Sequence, residues 1–103
     1  MYYTYILRCK DNSLYAGIAS DIKRRINEHF NKSPKCAKYT RTHTPIKLEA
    51  VWQSEDRATA SRLEFQIKQL TKIQKENLIL NNDFSVFKDK VIADSYTKVN
   101  ITI

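Results

Sequence analysis

The sequence predicts an α+β fold of order ββα–βαα, a three-stranded mixed or antiparallel sheet flanked by helices. Three observations carry that expectation. Residues 2–9 alternate with period 2, Tyr3, Tyr5, Leu7 and Cys9 against Tyr2, Thr4, Ile6 and Arg8, and a second extended run, Leu14-Tyr15-Ala16-Gly17, follows a turn-forming Lys10-Asp11-Asn12-Ser13. Two later stretches carry apolar stripes at helical spacing, Ile22, Ile26, Phe30 and then Ala60, Leu63, Ile67, Leu70. Between them Pro45 introduces a third strand, Ile46 to Gln53, with Val51 and Trp52 as core candidates. Strands covered by helices at this spacing form an α+β domain.

Taken in order, the first two strands make a hairpin, and period 2 puts Tyr15 and Gly17 on one face, level with Tyr3, Tyr5 and Leu7. Ser20-Asp21 supplies N-cap chemistry for a helix through about Phe30. His29 shares that helix's apolar stripe, Arg25 lies on its edge, and Arg24 points to the opposite side. Residues 33–44 form a basic, hydroxyl-rich connection with one helical turn. Ser54-Glu55-Asp56 opens a second long helix to about Leu70, with Glu64 at the border of its stripe, and a third helix runs from Lys72 to Leu80 after Thr71. Beyond Asn81 the pattern weakens. Val99, Ile101 and Ile103 alternate and make a candidate edge strand. The expected organisation is a domain over residues 1–82 and a C-terminal extension, 83–103, of unassigned role.

A chain of 103 residues buries about 60–70% of its unfolded surface as a single domain. It has no run of about 18 apolar residues, so no membrane role is expected. Met1-Tyr2-Tyr3 begins without a basic, signal-like region, and Cys9 and Cys36 lack zinc or CxxC spacing, which together lead us to expect a reduced, cytoplasmic protein, monomeric or weakly dimeric. Charge is more informative. The net value is +7, and residues 1–50 hold ten Lys or Arg against four acids while the second half is nearly balanced. Excess positive charge gathered in one half points to a polyanionic partner.

Glycine occurs once, at Gly17. A chain that dispenses with glycine elsewhere needs close backbone approach at that point. Around it runs Tyr5-x9-Tyr15-Ala16-Gly17-x7-Arg25-x3-His29, two phenols, a guanidinium and an imidazole carried on rigid elements. Each has an ordinary reading when taken alone. Tyr5 and Tyr15 are a cross-strand aromatic pair, Arg25 a surface charge, His29 a partly buried histidine, and Glu64 half of an i,i+4 ion pair with Lys68. His43 has no partner pattern and reads as exposed.

The set in register resembles the GIY-YIG nuclease domain over about residues 2–80, especially its small stand-alone bacterial members, the YhbQ-like group. The first signature element corresponds to Tyr3-Thr4-Tyr5 and the second to Tyr15-Ala16-Gly17; the family's helical arginine falls on Arg25, the following histidine on His29, and the carboxylate of the second long helix on Glu64. The resemblance implies a divalent-metal-dependent endonuclease that hydrolyses phosphodiester bonds in DNA, with RNA as the other nucleic acid to weigh. It implies one Mg2+ or Mn2+ ion on Glu64 and catalytic roles for Tyr5, Tyr15, Arg25, His29 and Glu64. Independent chemistry agrees. Magnesium commonly takes one or two protein carboxylates and keeps several waters, and an arginine fork suits phosphate oxygens. The base is open among Tyr5, Tyr15 and His29.

Lys35, Lys38 and Arg41 are expected to contact nucleic-acid phosphates, with Arg8, Lys10 and Lys68 as further candidates. The short chain leaves little surface for base-edge contacts, so selectivity for nucleic-acid structure is expected over selectivity for sequence. Where many nuclease members carry a lysine after the second element, this chain has Ile18-Ala19-Ser20. That departure, with the lack of a targeting domain, supports the alternative of a catalytically weak binding or adaptor module, or of a partner protein that supplies targeting. The family's downstream asparagine has three candidates, Asn77, Asn81 and Asn82.

Overall fold

Strands β1 (Tyr2–Cys9) and β2 (Leu14–Ala19) pair antiparallel across a tight turn in which Asn12 takes a left-handed φ of 69°. The computed structural model describes residues 1–102. Helix α1 (Ile22–Phe30) begins at Asp21, whose carboxylate accepts from the Arg24 N–H, and a five-residue helix α2 (Lys38–Thr42) lies within the expected connection. Strand β3 (Pro45–Ser54) pairs with the free side of β1. Helix α3 (Arg57–Lys68) is capped by Asp56, and α4 (Lys72–Asn81) by a reciprocal Thr71–Gln74 capping box.

The sheet has four strands where three were expected, all antiparallel, in the order β2-β1-β3-β4. The addition is β4 (Thr97–Val99), set against β3 with Val99 opposite Val51. Its alternation was faint because it is three residues long with Thr97 and Lys98 exposed. Of the expected edge-strand residues, Ile101 packs half-buried beyond β4, and Ile103 lies outside the described residues.

Period 2 divides the core between two faces. Tyr5, Leu7, Ala19 and Val51 face α1 and its Ile22 and Ile26. Ile6, Ala16, Ala50 and Trp52 face Leu63 and Ile67 of α3 and Leu78 of α4. Full burial of side chains such as these contributes about 1.5–3 kcal/mol each. Phe87, Val91 and Tyr96 join the second cluster, and the Tyr96 hydroxyl donates to the Thr59 carbonyl at 2.7 Å. Buried Thr4 makes a corresponding tie, donating to the Ala60 carbonyl at 2.9 Å.

Arg8 corrects one expectation. Its Nε donates to Glu49 at 2.6 Å, its fork grips both oxygens of Glu76 on α4 at 2.7 and 2.5 Å, and Nη1 also reaches Asn12. These donors join β1, β3 and α4, so Arg8 belongs to the scaffold and is not free to meet a phosphate. Asn82 is engaged as well, accepting from the Trp52 indole at 2.8 Å.

Candidate active site

Register places Tyr5 of β1 directly opposite Gly17 of β2. The Tyr5 ring folds over the glycine: an added Cβ on Gly17 would stand 2.5 Å from the phenol oxygen and 2.6 Å from Cζ. Gly17 does not have a positive φ. The position therefore needs the missing side chain for space, as the sequence suggested, and not for backbone freedom.

The same hydroxyl end of the ring is held by His29, which is buried on α1. The Tyr5 hydroxyl lies 2.6 Å from His29 Nε2, and His29 Nδ1 lies 2.8 Å from Thr40 Oγ1. Thr40 donates its own proton to the Ala37 carbonyl at 3.0 Å. Its oxygen must then accept from Nδ1–H, which fixes the tautomer and leaves Nε2 to accept from Tyr5. The chain of donors runs Tyr5 to His29 to Thr40 to Ala37. Burial, with the Arg25 cation second, pulls the His29 pKa down to about 4, so the ring is neutral at ordinary pH.

Tyr15, opposite Leu7, extends this cluster toward solvent. Its ring meets those of His29 at 5.5 Å and Tyr5 at 6.4 Å, and stacks on Tyr39 of α2 at 5.5 Å. Tyr39 stacks in turn on His43 at 4.0 Å, and His43 Nδ1 reaches the Asp11 carboxylate at 2.7 Å. His43 is thus half-buried and partnered, contrary to the exposed reading. Hydrogen bonds from Ser13 foremost, with His43 second, hold Asp11 down to about 2.

Helix α3 passes the β2 edge of the sheet and brings Glu64 and Lys68 to the same place. Lys68 Nζ stands 5.8 Å from the Tyr15 ring centroid and 3.4 Å from Glu64 Oε2. Arg25 and Glu64 both act on both phenols. Burial raises Tyr5 most, joined by Tyr15 and Glu64 and opposed by Arg25; burial also raises Tyr15, again with Glu64 pushing up and Arg25 pulling down. The five residues expected at the site therefore gather around one end of the sheet. Burial separates the phenols, since Tyr5 is 1% exposed while Tyr15 reaches the surface.

Arg25 is oriented by Glu28, 3.0 Å from Nη1, and by the Lys35 carbonyl. Beside it a surface concavity is lined by Tyr2, Ser20, Arg24, Arg25 and Lys35 among others. Lys35 thus adjoins the site, Lys38 is exposed at the start of α2, and Arg41 is exposed but ties back to the Pro34 carbonyl at 3.0 Å. The sequence places Tyr39 and Thr40 only among the phosphate-contact candidates of the connection, and their contacts with Tyr15 and His29 are not legible there. Their only signal was that Tyr39 and His43 stand i,i+4 apart in a segment with weak helical periodicity.

The residues present fit a divalent ion of the hard, hydrated kind. Among the described residues no three His, Cys, Asp or Glu side chains converge, so an ion on Glu64 would take most of its other ligands from water, as magnesium tolerates. The Glu64 side chain, 23% exposed, is accessible to such an ion.

Comparison with known proteins agrees with the geometry. The profile of the family described as GIY-YIG catalytic domain matches residues 1–77. The UPF0213 protein FN1575 of Fusobacterium nucleatum is 46% identical over 88 residues, 85% of each chain. The UPF0213 protein YhbQ of Salmonella typhimurium is 42% identical over 82 residues, 80% of each chain. The solution NMR structure of the UPF0213 protein BH0048 from Bacillus halodurans superposes with a TM-score of 0.51 at 38% identity, covering 87% of this chain and 96% of that one. The chain belongs to the GIY-YIG catalytic domain family and is related to its UPF0213, YhbQ-like proteins.

Proposed function

We propose that the protein is a metal-dependent endonuclease that hydrolyses phosphodiester bonds in DNA and selects nucleic-acid structure over sequence. The observation that carries the reading is the convergence of Tyr15, Arg25 and Glu64 beside the Tyr5–His29 pair, all but Glu64 coming from the half of the chain that holds most of the positive charge.

Hydrolysis needs an oriented water, compensation for charge on the phosphoryl oxygens, and stabilisation of the leaving oxygen. Tyr15 is the phenol that meets solvent, so it orients the attacking water; to accept that water's proton it must first be a phenolate, the form that the Arg25 cation favours and that a divalent ion would favour further if bound. Tyr5 and His29 act as positioning residues. His29 is buried with its Nε2 lone pair already turned to Tyr5, which removes it from contact with water. Arg25, braced by Glu28 and the Lys35 carbonyl, presents its remaining donors to the non-bridging oxygens. Glu64 would hold one Mg2+ or Mn2+ ion, which supplies Lewis-acid charge to the phosphate when bound. Lys35, Lys38 and Arg41 contact flanking phosphates. A cytoplasmic setting, with a partner protein supplying targeting, completes the proposal.

The second reading is a binding or adaptor module with weak catalysis. The raised phenol pKa values favour it, because both tyrosines keep their protons at neutral pH. One assay separates the two. Branched oligonucleotides and supercoiled plasmid are incubated with Mg2+ or Mn2+, and with EDTA. Metal-dependent nicking that falls by about 10²–10³ in Arg25→Ala, and that vanishes in folded Glu64→Gln, supports the nuclease. Binding without nicking supports the adaptor. Nicking that survives both substitutions defeats the site assignment.

A further inference from the structure

Lys68 has a place in this site that its spacing alone does not assign. An i,i+4 lysine on a helix ordinarily forms a solvated ion pair worth little. This one lies between Glu64 and Tyr15, at 3.4 Å from the carboxylate and 5.8 Å from the ring centroid. Glu64 is the carboxylate on which the proposed function relies for its ion, and the present inference rests on that reading. We propose that the Lys68 ammonium is the built-in counter-ion of Glu64, occupying the position a divalent ion takes, so that affinity for metal is set by competition with Lys68.

The physical argument has two parts. First, a divalent ion seated on Oε2 would stand close to the ammonium now 3.4 Å from that oxygen, and repulsion between the two cations would drive the ammonium off. Second, the lysine has somewhere to go. Its side chain is half exposed and already lies over the Tyr15 ring face, which attracts cations. After displacement, the ammonium stays beside Tyr15, near where a phosphate would bind. There it provides the positive charge that Ile18-Ala19-Ser20 does not. Metal entry and substrate contact are thus coupled through one side chain.

The test uses the full chain, 15N-labelled and titrated with Mn2+ alone, reading paramagnetic broadening of amides around Glu64 and Tyr15. Lys68→Gln is expected to bind Mn2+ about tenfold more tightly than the natural chain, from losing both the competing pair and the like-charge repulsion. Lys72→Gln is the control, since Lys72 pairs with Glu76 at the same i,i+4 spacing and removes the same charge elsewhere. Glu64→Gln should abolish the local broadening in either background. Equal tightening by the two lysine variants would reduce the effect to net charge and overturn the proposal. Glu64-dependent binding that is indifferent to Lys68, or weakened by its loss, overturns this proposal and leaves the metal anchor standing. Absence of Glu64-dependent broadening in every variant overturns both.

Discussion

Replacing Gly17 with alanine tests how the site is built. The added Cβ would stand 2.5 Å from the Tyr5 oxygen and 2.6 Å from Cζ, far inside van der Waals distance. Strand backbone opposite Tyr5 cannot retreat without breaking the β1–β2 ladder, and the ring is rigid, buried and hydrogen-bonded to His29 at 2.6 Å. The ring must therefore swing away and lose that bond. Overpacking of this kind costs about 1–3 kcal/mol, and the broken hydrogen bond about 0.5–1.5 kcal/mol. Alanine's lower chain entropy returns about 0.5–1 kcal/mol. The net destabilisation is about 0.5–4 kcal/mol, centred near 2, or a fall in Tm of roughly 8–16 °C at that centre for a domain of this size. Urea unfolding followed by Trp52 fluorescence measures it. A cycle with Tyr5→Leu assigns the cause, because the alanine should cost much less once the ring is gone. A Gly17→Ala protein as stable as the natural chain, or one equally destabilised in both backgrounds, would refute the close-approach argument.

Three further outcomes follow from the same geometry. The His29 ring takes a proton only near pH 4 when folded, against 6.5 when unfolded, so between those values the unfolded chain binds the extra proton. Its contribution to stability is complete above about pH 6.5 and is lost as pH falls toward 4, by at most about 3 kcal/mol; urea midpoints across that range should flatten in His29→Gln relative to the natural chain. Arg8→Ala leaves Glu49 with only Lys47 and Glu76 with only Lys72, and should lower stability by about 1–2 kcal/mol while leaving DNA affinity unchanged in a fluorescence-anisotropy titration. Loss of DNA affinity without loss of stability would return Arg8 to the substrate cations. Substituting Lys35 or Lys38 with alanine should lower the slope of log affinity against log salt by about 0.9 for each duplex phosphate that the variant no longer neutralises, and an unchanged slope would remove that residue from the interface.

Much of this molecule is legible along the chain. The hairpin, the caps at Asp21, Asp56 and Thr71, and both helical stripes follow from local periodicity, and such patterns survive in one dimension because neighbouring residues enforce them. The single glycine announced the close approach at Gly17, since composition alone marks a residue used once. Tertiary packing decided the rest. Thr40 became the acceptor that sets the His29 tautomer, Arg8 was drawn into the scaffold by Glu49 and Glu76, and Lys68 came to rest between Glu64 and Tyr15. Burial distinguished the two phenols, sealing Tyr5 under α1 and leaving Tyr15 at the β2 edge. Hydrogen bonds and solvent access depend on distances between residues remote in sequence, and those distances exist only once the sheet and its helices have closed around them.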